Sequence, residues 1–372
     1  MDYKMVKLGT VISQAKNIRC GEHNYPVLSM TMHDGLIFQD DKFKKVIASA
    51  NRSEYKVVYR NQLVVSFPID EGVLAAQRIT DVGIVSPAYT IWDIDQAKIL
   101  PEFLEYALRC DRSINYYKAK LRGSTARRRS LPTPTLLEHT IPLPAIDAQR
   151  YILEIIHKSR NVLETRKIQL QKLDMLVRAR FVEMFGDPVS NSYGLPEATL
   201  PELGKFGRGV SKHRPRNDPR LLDGEYPLVQ TGDVANASLY ITSYNSTYSE
   251  LGLKQSKMWS KGTLCITIAA NIAKTAILEF DACFPDSVVG FIANEKTNNI
   301  FIHYWFSFFQ AILESQAPES AQKNINLKIL SELKVIVPEK EKQNEFVDFV
   351  HQVDKSKLQY HPHTHTCQPN TS

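Results

Sequence analysis

The sequence has no uninterrupted apolar run near the roughly 18 residues that a membrane-spanning helix needs, and its opening MDYKMVKLGT holds no apolar stretch like that of a secretion signal. A cytoplasmic location is expected. Cysteine is scarce and scattered: Cys20, Cys110, Cys265, Cys283 and Cys367 are odd in number, and no CxxC pair occurs. Neither a disulfide framework nor a zinc-site spacing follows, and a reducing compartment is the natural reading. There is no GxxxxGK[ST] phosphate loop, no Asn/Asp-Pro-Pro-aromatic loop for a flipped base and no glycine-rich cofactor turn. Neither a nucleotide-hydrolysing nor a base-methylating site is therefore expected in this chain. An excess of one charge is nearly missing too. The 46 Lys plus Arg against 40 Asp plus Glu leave +6, which suits a polyanionic partner but also an ordinary enzyme.

What is present is globular: 43% of residues are hydrophobic and 23% charged, which excludes a disordered chain. The length of 372 residues exceeds one ordinary core and fits two domains with connecting structure.

An internal repeat sets the organisation. YPVLSM at Tyr25 is echoed by YPLVQT at Tyr226, NQLVVSF around Leu63 by KGTLCIT around Leu264, and SPAYTIW at Ser86 by SVVGFIA at Ser287, each at an offset of 201. Further on the offset is 194: RRRSLPTPTLLEHTIPLP (Arg127 to Pro144) aligns with AQKNINLKILSELKVIVP (Ala321 to Pro338), and Gln149 falls on Gln343. A deletion of seven residues in a surface loop would explain the change.

Within each copy the short β-branched or aromatic runs LVVSF, GIVSPAYTIW, TLCITIA and SVVGFIA read as strands. Leu100 to Leu121 and Ile302 to Ser315 have helical spacing. The fold class is α+β, with the strand order left open. Between the copies, QLQKLDMLVRARFVEMFGDP closes a helix that starts near Asp147 and ends at Phe185, about 39 residues or roughly 58 Å. Alternating steps of four and three along it visit Ile152, Ile156, Ser159, Leu163, Arg166, Leu170, Leu173, Val177, Arg180 and Met184. Seven of these ten are apolar, a coiled-coil seam that needs a partner helix. Glu341 to Leu358 supplies one, with Phe346, Val350 and Val353 in the places of Ile152, Ile156 and Ser159. The copy then stops at QYHPHTHTCQPNTS, about half the length of the first. The layout is thus a first domain at 1–144, a spacer helix at 145–187, a second domain at 188–338, a shortened helix at 339–358 and a disordered tail at 359–372.

Taken together, Gly123 to Ile152, Lys172 to Pro188 and VIVPEKEKQ (Val335 to Gln343) resemble the specificity subunits of type I restriction-modification systems. The resemblance covers nearly the whole chain and lies in the ordered set of segments rather than in one motif. Two departures stand out: Ala148 and Lys342 replace the family's Glu before the helix-start Gln, and the second helix is short. The resemblance implies two homologous target-recognition domains joined by long helices in an antiparallel coiled coil, and a non-catalytic, DNA-binding subunit. Each domain would read one half of a split, asymmetric double-stranded DNA site, and the helices would set the gap. Two copies of a modification subunit would methylate adenine with S-adenosylmethionine, and restriction subunits would translocate and cleave with ATP and Mg. No cofactor or metal is expected on this chain itself.

Candidate DNA contacts follow from that reading. Arg122, Arg127, Arg128 and Arg129, with Ser124 and Thr125, form a loop whose guanidinium and amide groups suit phosphates or guanine edges. The repeat places Gln322, Lys323 and Asn324 there, and Gln and Asn match adenine. A second cluster, Arg208, Lys212, His213, Arg214 and Arg216, lies in the Gly- and Pro-containing stretch Lys205 to Arg220, read as a loop. Solvated charge would account for either cluster equally simply. Tyr55, Tyr59, Tyr240, Tyr244 and Tyr248 could stack on bases, though half-buried packing is the commoner role of tyrosine. Trp92, Trp259 and Trp305 read as core. His361, His363, His365 and Cys367 have metal-like spacing in a short tail, which favours adventitious binding only.

Three rival readings remain. A nuclease could be drawn through Asp41, Glu54 and Lys56, without the usual Pro-Asp lead-in. The chain could instead be a protein-interaction adaptor that pairs through its helix. It could also be a recombined specificity subunit whose short second helix impairs assembly.

Overall fold

The computed structural model describes residues 3–32, 34–42, 52–121, 131–269, 272–316 and 325–360. Two units, Met1–Glu164 and Thr165–Ser372, each have a core of their own, and the division falls within the central helix.

In the first unit, an antiparallel sheet runs in the order Ile12–Gln14, Thr90–Ile94, Leu63–Val65, Leu74–Ala76. Beside it are a hairpin, Leu28–Thr31 with Gly35–Phe38, and a two-stranded antiparallel ladder, Lys56–Tyr59 with Val82–Val85. GIVSPAYTIW is therefore two strands rather than one. Ser86 Oγ accepts from the Ala88 amide and Ser86 O from the Tyr89 amide, closing a turn around Pro87. The predicted helix at Leu100 to Leu121 is likewise broken, into Pro101–Arg109 and Asp111–Lys120. Cys110 adopts an extended backbone (ψ 158°) that ends one helix and starts the next. The bend lets Tyr117 become fully buried and Ser113 Oγ donate to the Ala107 carbonyl. Trp92, Phe103, Leu104, Leu108 and Tyr117 form the centre of this core.

The second unit repeats the central motif. Leu264–Thr267 is paired on one side with Thr275–Leu278 and on the other with Val288–Ala293, all antiparallel, as Leu63–Val65 is with Leu74–Ala76 and Thr90–Ile94. The offset of 201 holds along the first of these ladders. Across the second, Leu63 faces Trp92 while Leu264 faces Phe291, so that strand is displaced by 199. Phe103 and Leu104 of one helix match Phe301 and Ile302 of Asn299–Gln316 at 198, all four buried. The seven missing residues are thus lost in steps along the chain rather than in one loop. Trp259 and Trp305 are buried, as is Trp92.

In each unit a two-stranded ladder ties the chain's approach to the long helix. Lys4–Lys7 pairs with Thr140–Leu143, and Glu197–Thr199 pairs with Lys334–Ile336, both antiparallel.

The central helix spans Ile146–Phe185, 40 residues, or roughly 60 Å at 1.5 Å per residue. It contains neither Gly nor Pro, and Asp147 in its first turn faces the positive end of the helix dipole. Gly186 stops it in a left-handed conformation (φ +75°), its amide donating to the Val182 carbonyl. A Cβ there would stand 2.5 Å from Ser192 Oγ and 2.8 Å from the Tyr193 ring, so glycine is required twice over.

The C-terminal helix, Lys340–Tyr360, lies antiparallel to residues 174–185 of the central helix. Phe346 meets Phe181 and Phe185 near one end, and Lys357 meets Asp174 near the other. Phe301, Phe308 and Tyr304 of the helix Asn299–Gln316 complete an aromatic cluster around Phe181 and Phe346.

Candidate nucleic-acid interface

Each long helix is anchored by a buried glutamine. Gln149, fully buried, donates through Nε2 to the carbonyls of Pro144 (2.8 Å) and Lys98 (2.9 Å) and accepts through Oε1 from the Leu100 amide (2.8 Å). Gln343, also fully buried, donates to Pro338 (2.8 Å) and Lys296 (3.0 Å) and accepts from Thr297 Oγ1 (3.0 Å). Both side chains donate to carbonyls at equivalent places, while the bond each accepts differs, from a backbone amide for Gln149 and from a side-chain hydroxyl for Gln343. In the first unit Glu102 adds a second fastening, shared between Arg78 (3.1 Å) and His157 of the helix (2.9 Å). Arg160 lies over the Tyr106 ring at 4.9 Å.

The seam residues divide by unit. Ile152 and Ile156 are half-buried in the first, where Leu153 is the more deeply packed; Leu163 is 70% exposed. In the second, Val177, Phe346, Val350 and Val353 are buried in one cluster, with Leu173 and Met184 packed against it and Leu170 half-buried. Phe181 and Phe185, which the heptad steps pass over, are fully buried. With Val177 they recur every four residues, the stripe of a helix facing a globular core as well as one partner. That i, i+4, i+8 spacing was the available signal.

Lys357 is the polar end of this packing. Its ammonium bridges Asp174 (2.7 Å) and Asp354 (3.2 Å) with only 12% of the side chain exposed. Burial opposes its charge, but the two carboxylates outweigh burial and hold its pKa above the ordinary lysine value. His303 nearby is hydrogen-bonded through Nδ1 to Thr275 Oγ1 (2.9 Å), and burial pushes its pKa down to about 4.

The basic stretch of the second unit is partly strand. Gly204–Arg208 pairs antiparallel with Val288–Ala293, so Lys205 and Arg208 belong to a sheet and only the residues beyond them form a loop. Sequence composition missed this because the strand's ladder partner lies some eighty residues away. The loop backbone is held firmly. The Gly209 amide donates to the Val288 carbonyl (2.9 Å), and Gln255 Oε1 accepts from the amides of Lys212 (2.7 Å) and His213 (3.1 Å). A Cβ at Gly209 would lie 2.3 Å from the Phe284 carbonyl oxygen, a close approach only glycine permits.

The side chains on this platform differ in availability. Arg214 and Arg216 share Asp286 at 3.5 and 2.5 Å, and His213 bonds Asp218 (3.0 Å). Asp218 also accepts from Arg220, whose side chain and backbone hydrogen bonds hold that carboxyl well below the usual range. Arg208 and Lys212 are exposed and have no ion-pair partner among the described residues. The geometry thus offers two unengaged cations beside two arginines half-neutralised by one carboxylate, a surface able to meet phosphate oxygens.

Other candidates fall elsewhere. Arg122, Ser124, Thr125, Arg127, Arg128 and Arg129 of the first loop, and Gln322, Lys323 and Asn324 of its counterpart, lie outside the described residues. So do His361, His363, His365 and Cys367. Tyr248 is 2% exposed and belongs to the core, which removes it from base stacking; Tyr59 and Tyr244 are each 43% exposed, and Tyr55 and Tyr240 are half-buried. The nuclease triple does not assemble. Lys56 Nζ donates to the Tyr89 carbonyl (2.6 Å), Glu54 pairs with Arg19, and no metal-holding group of three acids, histidines or cysteines occurs among the described residues.

Comparison with known proteins agrees with this build. Residues 197–363 match the family model of the type I restriction modification DNA specificity domain. A Methanocaldococcus jannaschii protein named as a type I restriction enzyme MjaX specificity subunit is 25% identical over 260 residues, 66% of this chain and 59% of the relative. The match therefore spans less than two thirds of that relative's length. Among solved structures, a chain from a type I R-M system complex superposes with a TM-score of 0.58 at 16% identity, covering 96% of this chain and 91% of the other. The S subunit of a type I restriction-modification system from M. genitalium gives 0.52 at 14%, with the same coverage. At these identities the likeness is one of fold. Among the described residues no helix is long and apolar enough to cross a membrane.

Proposed function

We propose that this chain is the non-catalytic DNA-reading subunit of a type I restriction-modification complex, a reading supported by the specificity-domain match over residues 197–363 and by the likeness to the Methanocaldococcus jannaschii specificity subunit. Each unit recognises one half of a split, asymmetric site, and the long helices set the gap between the halves. Two modification subunits methylate adenine at the chosen site, using S-adenosylmethionine. Restriction subunits supply ATP- and Mg-dependent translocation and cleavage. The observation that carries the reading is the unbroken 40-residue helix between two units of the same build, each fastened to its long helix by an equivalent buried glutamine. One turn of B-DNA is about 34 Å, so a stiff element of this length suits a fixed separation of half-sites where a flexible linker would not.

The platform of Arg208, Lys212, Arg214 and Arg216 supplies phosphate contacts for the second unit, with His213 in support through Asp218. Arg127, Arg128 and Arg129, and Gln322, Lys323 and Asn324, would add contacts at corresponding places of the sequence repeat. Docking of modification subunits is supported by apolar side chains left open on the central helix. Tyr151 (55%), Ile155 (46%) and Val162 (58%) fall within about 40° of one another at 100° per residue. Such a surface also accommodates the adaptor reading, as part of the same function. The assembly-impaired variant turns on the short second helix, which runs Lys340–Tyr360, 21 residues against the 40 of the first.

Selection of a randomised duplex library on the purified full chain tests the reading. A split motif with one fixed gap, bound with steep salt dependence, is the expected result; salt-insensitive binding without a motif would remove it.

A further inference from the structure

Gln149 and Gln343 do more than satisfy buried polar groups. Each ties three segments into one knot: the turn before a recognition-unit helix, the end of the strand leading to the long helix, and the first turn of the long helix itself, through backbone groups alone for Gln149 and with the Thr297 hydroxyl for Gln343. Lys340 Nζ reinforces the second knot by donating to the Thr297 carbonyl. An amide is the only side-chain group of this size that donates twice and accepts at the same point. We infer that Gln149 and Gln343 are positioning residues that set the direction of each long helix against its recognition unit, and thereby the selectivity of the protein for one gap between half-sites.

The lever is long. A tilt of about 5° at the base of the roughly 60 Å central helix moves its far end by about 5 Å, more than the roughly 3.4 Å between successive base pairs; the 21-residue C-terminal helix, roughly 31 Å long, moves by about 3 Å, so Gln149 carries the larger effect. A loosened knot would accordingly admit neighbouring gaps while leaving base recognition, which lies elsewhere in each unit, untouched. The inference rests on the proposed function, and the two can fail separately.

The test is selection of a randomised duplex library on the full-length wild-type chain and on Gln149→Met, Gln343→Met and Thr297→Val, with thermal melting followed by circular dichroism. Thr297→Val removes one hydrogen bond to Gln343 and is the mild variant should a glutamine replacement fail to fold. If wild type selects no split motif, the proposed function fails. If wild type selects one gap at roughly tenfold or better over its neighbours, the variants are expected to keep the same half-site letters and to lose most of that preference, Thr297→Val least. Folded variants that retain a single gap would overturn the inference, as would a uniform loss of affinity with the gap unchanged.

Discussion

Lys357 Nζ lies 2.7 Å from Asp174 Oδ1, across the antiparallel pair formed by the C-terminal and central helices. Asp174 is 62% exposed, so solvent screens its half of the bond, while Lys357 is 12% exposed and would be stranded without a partner. Lys357→Met is expected to cost about 1 kcal/mol and to lower the melting temperature by roughly 2–4 °C, as read by calorimetry. Asp174→Asn should cost less, because Asp354 remains 3.2 Å from the ammonium.

The aromatic cluster is where the second unit is most sensitive. Phe181 touches Phe185, Phe301, Phe308 and Phe346, and is fully buried. Phe181→Ala should destabilise the unit by about 3–5 kcal/mol in urea unfolding. Val162→Asp, at a site 58% exposed, should leave the unfolding midpoint nearly unchanged and weaken association with modification subunits instead.

Two neutral histidines set a pH response. His139 is hydrogen-bonded to Ser113 (2.8 Å) and stacked on Tyr116, and burial depresses its pKa to about 4; His303 is depressed to about 4 likewise. Below the ordinary value of about 6.5 the unfolded chain takes up protons that these folded sites refuse. Stability should therefore be flat above pH 7 and fall progressively from about 6.5 toward 4. Melting temperatures at pH 7.5, 6 and 5 check this, and His139→Gln should flatten part of the slope.

The basic platform predicts graded salt effects. Lys212→Ala and Arg208→Ala should each reduce the slope of log K against log salt by about one, because neither cation is engaged in the free protein. Arg214→Ala should do less. Asp286→Ala, which releases Arg214 and Arg216, should tighten DNA binding in a filter or polarisation titration.

Much of this arrangement was legible in the sequence because local chemistry dictates it. Forty residues without Gly or Pro, bounded by Pro144 and by Gly186-Asp187-Pro188, allow little other than one helix. The repeat was visible because the central strand Leu63–Val65 and its counterpart Leu264–Thr267 must both be apolar on two faces. What escaped depended on distant partners. Gln149 and Gln343 were matched as a pair, but the Lys98 and Lys296 carbonyls they serve lie 51 and 47 residues away. The engagement of Arg214 and Arg216 by Asp286 spans about seventy residues. A search for steps of four and three also passed over Phe181 and Phe185, whose spacing answers a core rather than a two-helix seam. The break at Cys110 had no Gly or Pro to announce it.

The rings around Phe181 are rigid plates with few rotatable bonds, whereas the opposite end of the central helix brings the aliphatic side chains of Ile152 and Leu153 to its core, which have more rotatable bonds. Mechanical play in the protein should consequently be unequal. Backbone amides around residues 177–185 should therefore exchange more slowly than those around residues 150–156, and replacements that stiffen the first end should raise protection more than any made among the aromatics.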